Sequence, residues 1–150
     1  MRYNPITTYA GIFSGVGAAL WTLFEYAMGW HNEHLETGAI TGFIAVIFPV
    51  AAIVWALRAA KRSFGGQLSM KQALMTGLAV SAISAAIGVV FFYAYYTAIN
   101  PAFLEAMAAR GQPVDVVSQL IAVVAGSFIF GILISAVVGY FMRTKGAEAK

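Results

Sequence analysis

The chain carries one carboxylate where a carboxylate is costly. Glu25 falls inside an apolar run at 9–29, about five residues inward of Trp30, or roughly 7 Å at 1.5 Å per residue. Ionisable groups in such runs face a bundle interior or a watery cavity, often for function. On that reading Glu25 is a proton- or cation-handling carboxylate. The alternative is a side chain that reaches the outer interface and stays partly solvated. Close by in sequence, His31-Asn32-Glu33-His34 with Glu36 beyond offers two imidazoles three residues apart beside carboxylates. Nitrogen and oxygen donors of that kind suit zinc or a similar divalent ion, so His31, His34 and Glu33 form a candidate metal set. A solvated polar turn accounts for the same residues. A third group is aromatic: Tyr93, Tyr95 and Tyr96, followed by Asn100. Tyr93, Tyr96 and Asn100 are candidates to line a polar cavity, and an interfacial aromatic belt is the plainer account.

Other chemistry is not signalled. There is no phosphate-binding glycine loop, no Ser-His-Asp order and no zinc-protease motif. Ser14, Ser81, Ser84, Ser127 and Ser135 lie among small residues and read as packing rather than as nucleophiles. The absence of cysteine removes disulfides, thiolate metal sites and covalent haem. The expectation is a non-enzymatic protein without a cofactor.

The elements that must position these residues are four apolar runs, at 9–29, 39–57, 74–99 and 117–142. Each is close to the about 20 residues that cross a bilayer core. Composition agrees, with 61% hydrophobic and 10% charged residues and a mean hydropathy of +0.80. The first run is too long to read as a cleaved signal, and Glu25 and two tryptophans stand where a small-residue cleavage site would be expected, so it is expected to remain as a span. Of nine basic residues, eight fall on one side of the runs. Arg2 precedes the first; Arg58, Lys61, Arg62 and Lys71 join the second to the third; Arg143, Lys145 and Lys150 follow the fourth. The other connections hold Glu33, Glu36, Glu105 and Asp115 against Arg110 alone. Lys and Arg in short loops stay cytoplasmic, which predicts both termini inside. A pI near 9.3 therefore points to anionic lipid headgroups and not to nucleic acid. The whole chain reads as a single all-α domain, an integral membrane four-helix bundle.

Local signals refine the elements. Pro49, near the middle of the second run, removes a backbone donor and clashes with the carbonyl of Ala45, predicting a kink. Ser69 and Gln72 fit a capping box that starts the third helix near Met70. Asn100-Pro101 reads as an N-cap and first position of a short helix at 102–110, ended by Gly111 and Pro113 and lying at the outer interface between spans three and four. Asp115 can cap the fourth span. Small residues recur along three helices: Gly11 and Gly15 on the first, Gly77, Ser81 and Gly88 on the third, Gly131, Ser135 and Gly139 on the fourth. Such seams let backbones approach closely. They suggest a packing or interaction subunit, either a homo-oligomer or part of a larger membrane complex. The competing expectation is a small channel or transporter that uses Glu25.

Several stretches resemble a family of small bacterial membrane proteins catalogued as domain of unknown function 4199. They are Ala10-Gly11-Ile12-Phe13-Ser14-Gly15, the basic and glycine-bearing loop from Arg58 to Gly66, and Leu68-Ser69 leading into Ala73-Leu74-Met75-Thr76-Gly77. The longest is Tyr93-Ala94-Tyr95-Tyr96-Thr97-Ala98-Ile99-Asn100-Pro101-Ala102-Phe103-Leu104-Glu105. Asn100 departs from the pattern, where an aspartate before the proline is expected. The resemblance implies a four-helix protein of the bacterial inner membrane. It brings no activity, cofactor or catalytic residue.

Overall fold

The computed structural model describes residues 4–111 and 114–144, so Arg2, Pro113, Lys145 and Lys150 lie outside the described residues. Among the described residues every regular element is helical and no strand occurs. Four segments are long and apolar enough to cross a membrane: Pro5–Ala27, Leu35–Ser63, Met70–Ile99 and Val116–Met142, with mean hydropathies of 1.3, 2.4, 2.1 and 2.6.

Helix α1 (Pro5–Ala27) starts with Asn4, whose side chain accepts the Ile6 N–H, and with proline at a position that needs no donor. It ends in a turn built on Gly29, whose φ of +76° suits glycine. The Gly29 carbonyl accepts the N–H groups of Asn32, Glu33 and His34 at 3.2, 3.0 and 3.1 Å. That turn carries the histidine pair.

The second span is one helical path wound in three ways: α2 (Leu35–Thr41), a 3-10 segment (Gly42–Val46) and α3 (Ile47–Ser63). The irregularity expected at Pro49 lies one turn earlier. In 3-10 winding a carbonyl bonds three residues on, as Ile44 does with the Ile47 N–H. A carbonyl in this stretch then has a partner other than the donor that proline lacks four residues on.

Helix α4 (Met70–Ala94) begins at the capping box formed by Ser69 and Gln72. It runs into a π-helical turn (Tyr95–Ile99), which sequence analysis did not anticipate. Asn100 ends that turn and does not cap the next helix through its side chain. Pro101 occupies the cap position of α5 (Ala102–Ala109), while Phe103 N–H reaches the Asn100 carbonyl at 3.2 Å. Asp115, with Ser118, makes a reciprocal capping box for α6 (Val116–Met142).

Helix α4 packs closely against both α6 and α1, and α3 lies against α1, α4 and α6. The small-residue seams are the reason these helices can approach. A methyl group on Gly77 would overlap Ser135 Oγ, and one on Gly131 would overlap Ser81 Oγ. Gly139 meets Ala73 in the same way, and Gly11 and Gly15 face Ile83 and Ile87 of α4. The seams are therefore occupied within the chain. Lys61 Nζ donates to the Met142 carbonyl at 2.8 Å and Thr144 N–H to the Leu68 carbonyl at 3.0 Å, tying off the basic end of the helices.

Candidate functional site

At the opposite end, the last turn of α1 aims Glu25 inward, leaving it 3% exposed. Two elements supply its partners. Thr41 Oγ1, at the end of α2, lies 2.5 Å from Glu25 Oε1. His31, held by the Gly29 turn, places Nε2 at 3.4 Å from Glu25 Oε2. The carboxylate is thus withdrawn from solvent and paired, and does not reach for the interface.

The other imidazole nitrogen continues the chain. His31 Nδ1 lies 2.6 Å from Tyr95 Oη, and Asn100 Nδ2 donates to the same Oη at 3.1 Å. A second hydrogen on Asn100 Nδ2 goes to Asn32 Oδ1, also at 3.1 Å. One proton assignment satisfies every contact: Asn100 donates to Tyr95, Tyr95 donates to Nδ1, and Nε2–H faces the carboxylate. Tyr95 is wholly buried and Asn100 is 4% exposed.

The π turn sets this register. Its closing bond runs from the Asn100 N–H to the Tyr95 carbonyl at 2.7 Å, a span of five residues. The wider turn brings Tyr95 and Tyr96 inside together, whereas Tyr93 is 57% exposed. Aromatic rings close the outside of the cluster. Phe103 of α5 lies 5.1 Å from the His31 ring and stacks on Tyr96 at 6.0 Å, and Tyr26 meets Tyr95 edge-on at 6.0 Å. Burial holds the His31 imidazole below its ordinary pKa, with the Glu25 carboxylate pulling the other way.

Of the residues proposed from sequence, Glu25, His31 and Asn100 come together. Tyr96 is buried in the aromatic wall, stacked between Phe92 and Phe103. Tyr93 takes no part. The metal set of His31, His34 and Glu33 is not assembled: His34 and Glu33 line a separate polar cleft with Glu36 and Arg110. Both ring nitrogens of His31 are already engaged by Tyr95 and Glu25. Among the described residues no group of three or more His, Cys, Asp or Glu is placed to hold a metal ion. Thr41 and Asn32 had no signal in the sequence, being a common helix residue and one polar turn residue among several. Tyr95 was visible in the tyrosine group, but choosing it over Tyr93 required the π turn.

A family model described as protein of unknown function, DUF4199, matches residues 9–144, a stretch that contains the whole cluster. Comparison with the curated proteins and with the solved structures gave no match.

Proposed function

The chain belongs to that family of proteins of unknown function, and on that premise we propose that it is a proton-handling protein of the bacterial inner membrane, a four-helix bundle with both termini cytoplasmic. One observation carries the reading: Glu25, almost fully buried, is joined through His31 to Tyr95 and Asn100 in a chain of polar contacts. An unpaired carboxylate in an apolar span would be expensive, and the imidazole that pairs it is the side chain whose ordinary pKa lies closest to neutrality. The orientation follows the charges. Arg58, Lys61, Arg62, Lys71 and Arg143 flank one end of the helices, while Glu33, Glu36, Glu105 and Asp115 flank the other.

The geometry accommodates a proton on either partner. A proton taken up by His31 makes an imidazolium beside the Glu25 carboxylate. Transfer from Nε2 to Oε2 neutralises both groups. Thr41 Oγ1 lies 3.0 Å from the Thr37 carbonyl as well as near Glu25. It donates to Oε1, which can accept whether Glu25 is ionised or carries its proton on Oε2. Glu25 thus keeps hydrogen-bond partners whether charged or neutral, which suits a group that loads and unloads a proton. The reading of the chain as an interaction subunit was drawn from small-residue seams, and Gly11, Gly15, Gly77, Gly131 and Gly139 of those seams face neighbouring helices of the same chain.

Proteoliposomes with an internal pH dye test the chemistry. Under an inward proton gradient the wild type should acidify the lumen faster than protein-free vesicles, and Glu25→Gln should return the rate to that background. Equal rates in all three preparations would sink the proposal. Labelling of His34→Cys and Ser63→Cys in spheroplasts tests the orientation, and modification of both from the same side would overturn it.

A further inference from the structure

A second polar feature lies well away from Glu25. A cavity of about 190 Å³ opens at mid-length of the four spans, and all four contribute to its lining. The first gives Ser14, the second Pro49, α4 gives Ser81 and Ser84, and α6 gives Gly126 and Ser127. Pro49 falls halfway along Leu35–Ser63 and Ser84 halfway along Met70–Ile99. Hydroxyl groups therefore gather at the depth where a bilayer is most apolar and polar groups are hardest to accommodate. The 3-10 segment that interrupts the second span, Gly42–Val46, adjoins the cavity through Val46.

Two independent observations separate this cavity from a packing defect. The first is an unmet hydroxyl. Three of the cavity's hydroxyls are engaged: Ser84 Oγ donates to Ser14 Oγ at 3.1 Å, and Ser127 Oγ to the Val123 carbonyl at 2.7 Å. Ser81 is 4% exposed, lines the cavity and has no hydrogen-bond partner among the described residues. Among the described residues the fully enclosed side-chain atom without a partner is Ser135 Oγ, in the α4–α6 seam, whereas Ser81 Oγ keeps accessible surface at which a bound group can supply its missing hydrogen bond. The second observation is Gly126. Unlike Gly77, Gly131 and Gly139, which neighbouring atoms crowd, a Cβ on Gly126 would meet nothing within 4 Å. Glycine in mid-helix weakens the helix, and here no packing contact demands it. It keeps the cavity open.

We propose that this cavity is a binding site for a small uncharged solute with an amide or hydroxyl group. No ionisable side chain lines it, so a charged ligand would lack a counter-charge. Its volume equals that of roughly six waters at about 30 Å³ each, enough for a molecule of several non-hydrogen atoms. Ala18, Ala45, Val46, Ile53 and Val80 would enclose the apolar part, and Ser81 would take the hydrogen-bonding group. A lipid chain would fill the same space but leave Ser81 unpaired. The site stands apart from the proton-handling reading: Ser14 is eleven residues from Glu25 along α1, about 16 Å at 1.5 Å per residue.

Fluorine NMR of 2,2,2-trifluoroacetamide with the full chain in nanodiscs tests the site. Saturable broadening beyond that in empty nanodiscs is expected from the wild type. Gly126→Leu, which fills the open space, should abolish it, and Ser81→Ala should weaken binding about fivefold, the loss of one hydrogen bond. Circular dichroism and thermal melting confirm that both variants are folded. 1,1,1-Trifluoropropane, which offers no amide, should bind less well than the amide. No saturable binding, binding unchanged in Gly126→Leu, or equal binding of the fluoroalkane would each overturn the proposal; the last would mark an apolar pocket filled by lipid. Glu25→Gln should leave trifluoroacetamide binding unchanged, so the outcome is independent of proton flux.

Discussion

Tyr95 Oη and His31 Nδ1 lie 2.6 Å apart, joining residues separated by 64 positions in the chain. This bond ties the turn after α1 to the π turn after α4, and it makes Tyr95 the hydroxyl shared between the imidazole and the Asn100 amide. The two ends of the polar chain therefore depend on one phenol.

Tyr95→Phe keeps the ring and removes that hydroxyl. Asn100 Nδ2 loses one acceptor and His31 Nδ1 loses its donor, both in buried positions. The expected cost is about 1–3 kcal/mol, the penalty of unpaired buried polar groups. Tyr93→Phe, at an exposed ring two residues earlier, should change stability by less than about 0.5 kcal/mol. Thermal melting of both variants in detergent checks the contrast. Equal shifts would mean that the π-turn register is wrong.

That contrast also marks how far the sequence could be read. The spans, the capping boxes at Ser69 and Asp115, and the glycine seams all follow from local composition and spacing, because bilayer length, helix period and cap geometry are local constraints. The inward position of Tyr95 is not local: α-helical periodicity continued through 95–99 gives no reason for Tyr95 and Tyr96 to turn inward together, and the extra residue of the π turn supplies it. His31 and His34 failed for the opposite reason. Three residues apart, they would share a helix face, but the chain around them is a glycine-centred turn in which one imidazole goes inward and the other outward. Glu25 was legible as an anomaly, while Thr41 and Asn32 came to the cluster through tertiary folding alone.

The depressed pKa of His31 gives stability a pH dependence. Folding weakens proton binding by the imidazole, so the unfolded chain holds more protons just below the ordinary value of 6.5. Stability is then complete above about pH 6.5 and falls as the pH drops through the lower folded value. Melting temperatures between about pH 8 and pH 5 should decline for the wild type. His31→Gln, which cannot titrate, should flatten the part of that slope near about pH 6. A wild-type profile that rises toward the acid end would reverse the sign and sink the argument.

Gly77 and Gly126 predict opposite responses to the same change. Gly77→Ala drives a methyl group into Ser135 on the neighbouring helix, and overpacking of this kind costs about 1–3 kcal/mol. Gly126→Ala enters open space and replaces the weaker helix former, for a gain of up to about 1 kcal/mol. Melting in detergent should order the three proteins Gly77→Ala, wild type, Gly126→Ala. If Gly77→Ala were as stable as wild type, α4 and α6 could not be packed through this seam.

Asn100 occupies the position where the family resemblance leads one to expect aspartate, and the substitution Asn100→Asp probes what the amide does. The amide donates to Tyr95 Oη, which obliges the phenol to send its own hydrogen to His31 Nδ1. A carboxylate at this position can only accept. Tyr95 would then donate to that carboxylate and turn its lone pairs toward Nδ1, which favours a hydrogen on that nitrogen. Together with the Nε2–H facing Glu25, this is the imidazolium form. The new negative charge acts in the same direction. Asn100→Asp should therefore raise the pKa of His31, and the pH at which the stability profile bends should rise with it. Nitrogen-15 NMR of the His31 ring follows the change directly: Nδ1 should pass from acceptor to protonated nitrogen at a higher pH than in the wild type. If the His31 titration stayed where it is or moved lower, the direction of the hydrogen bonds from Asn100 through Tyr95 to His31 would have to be reversed.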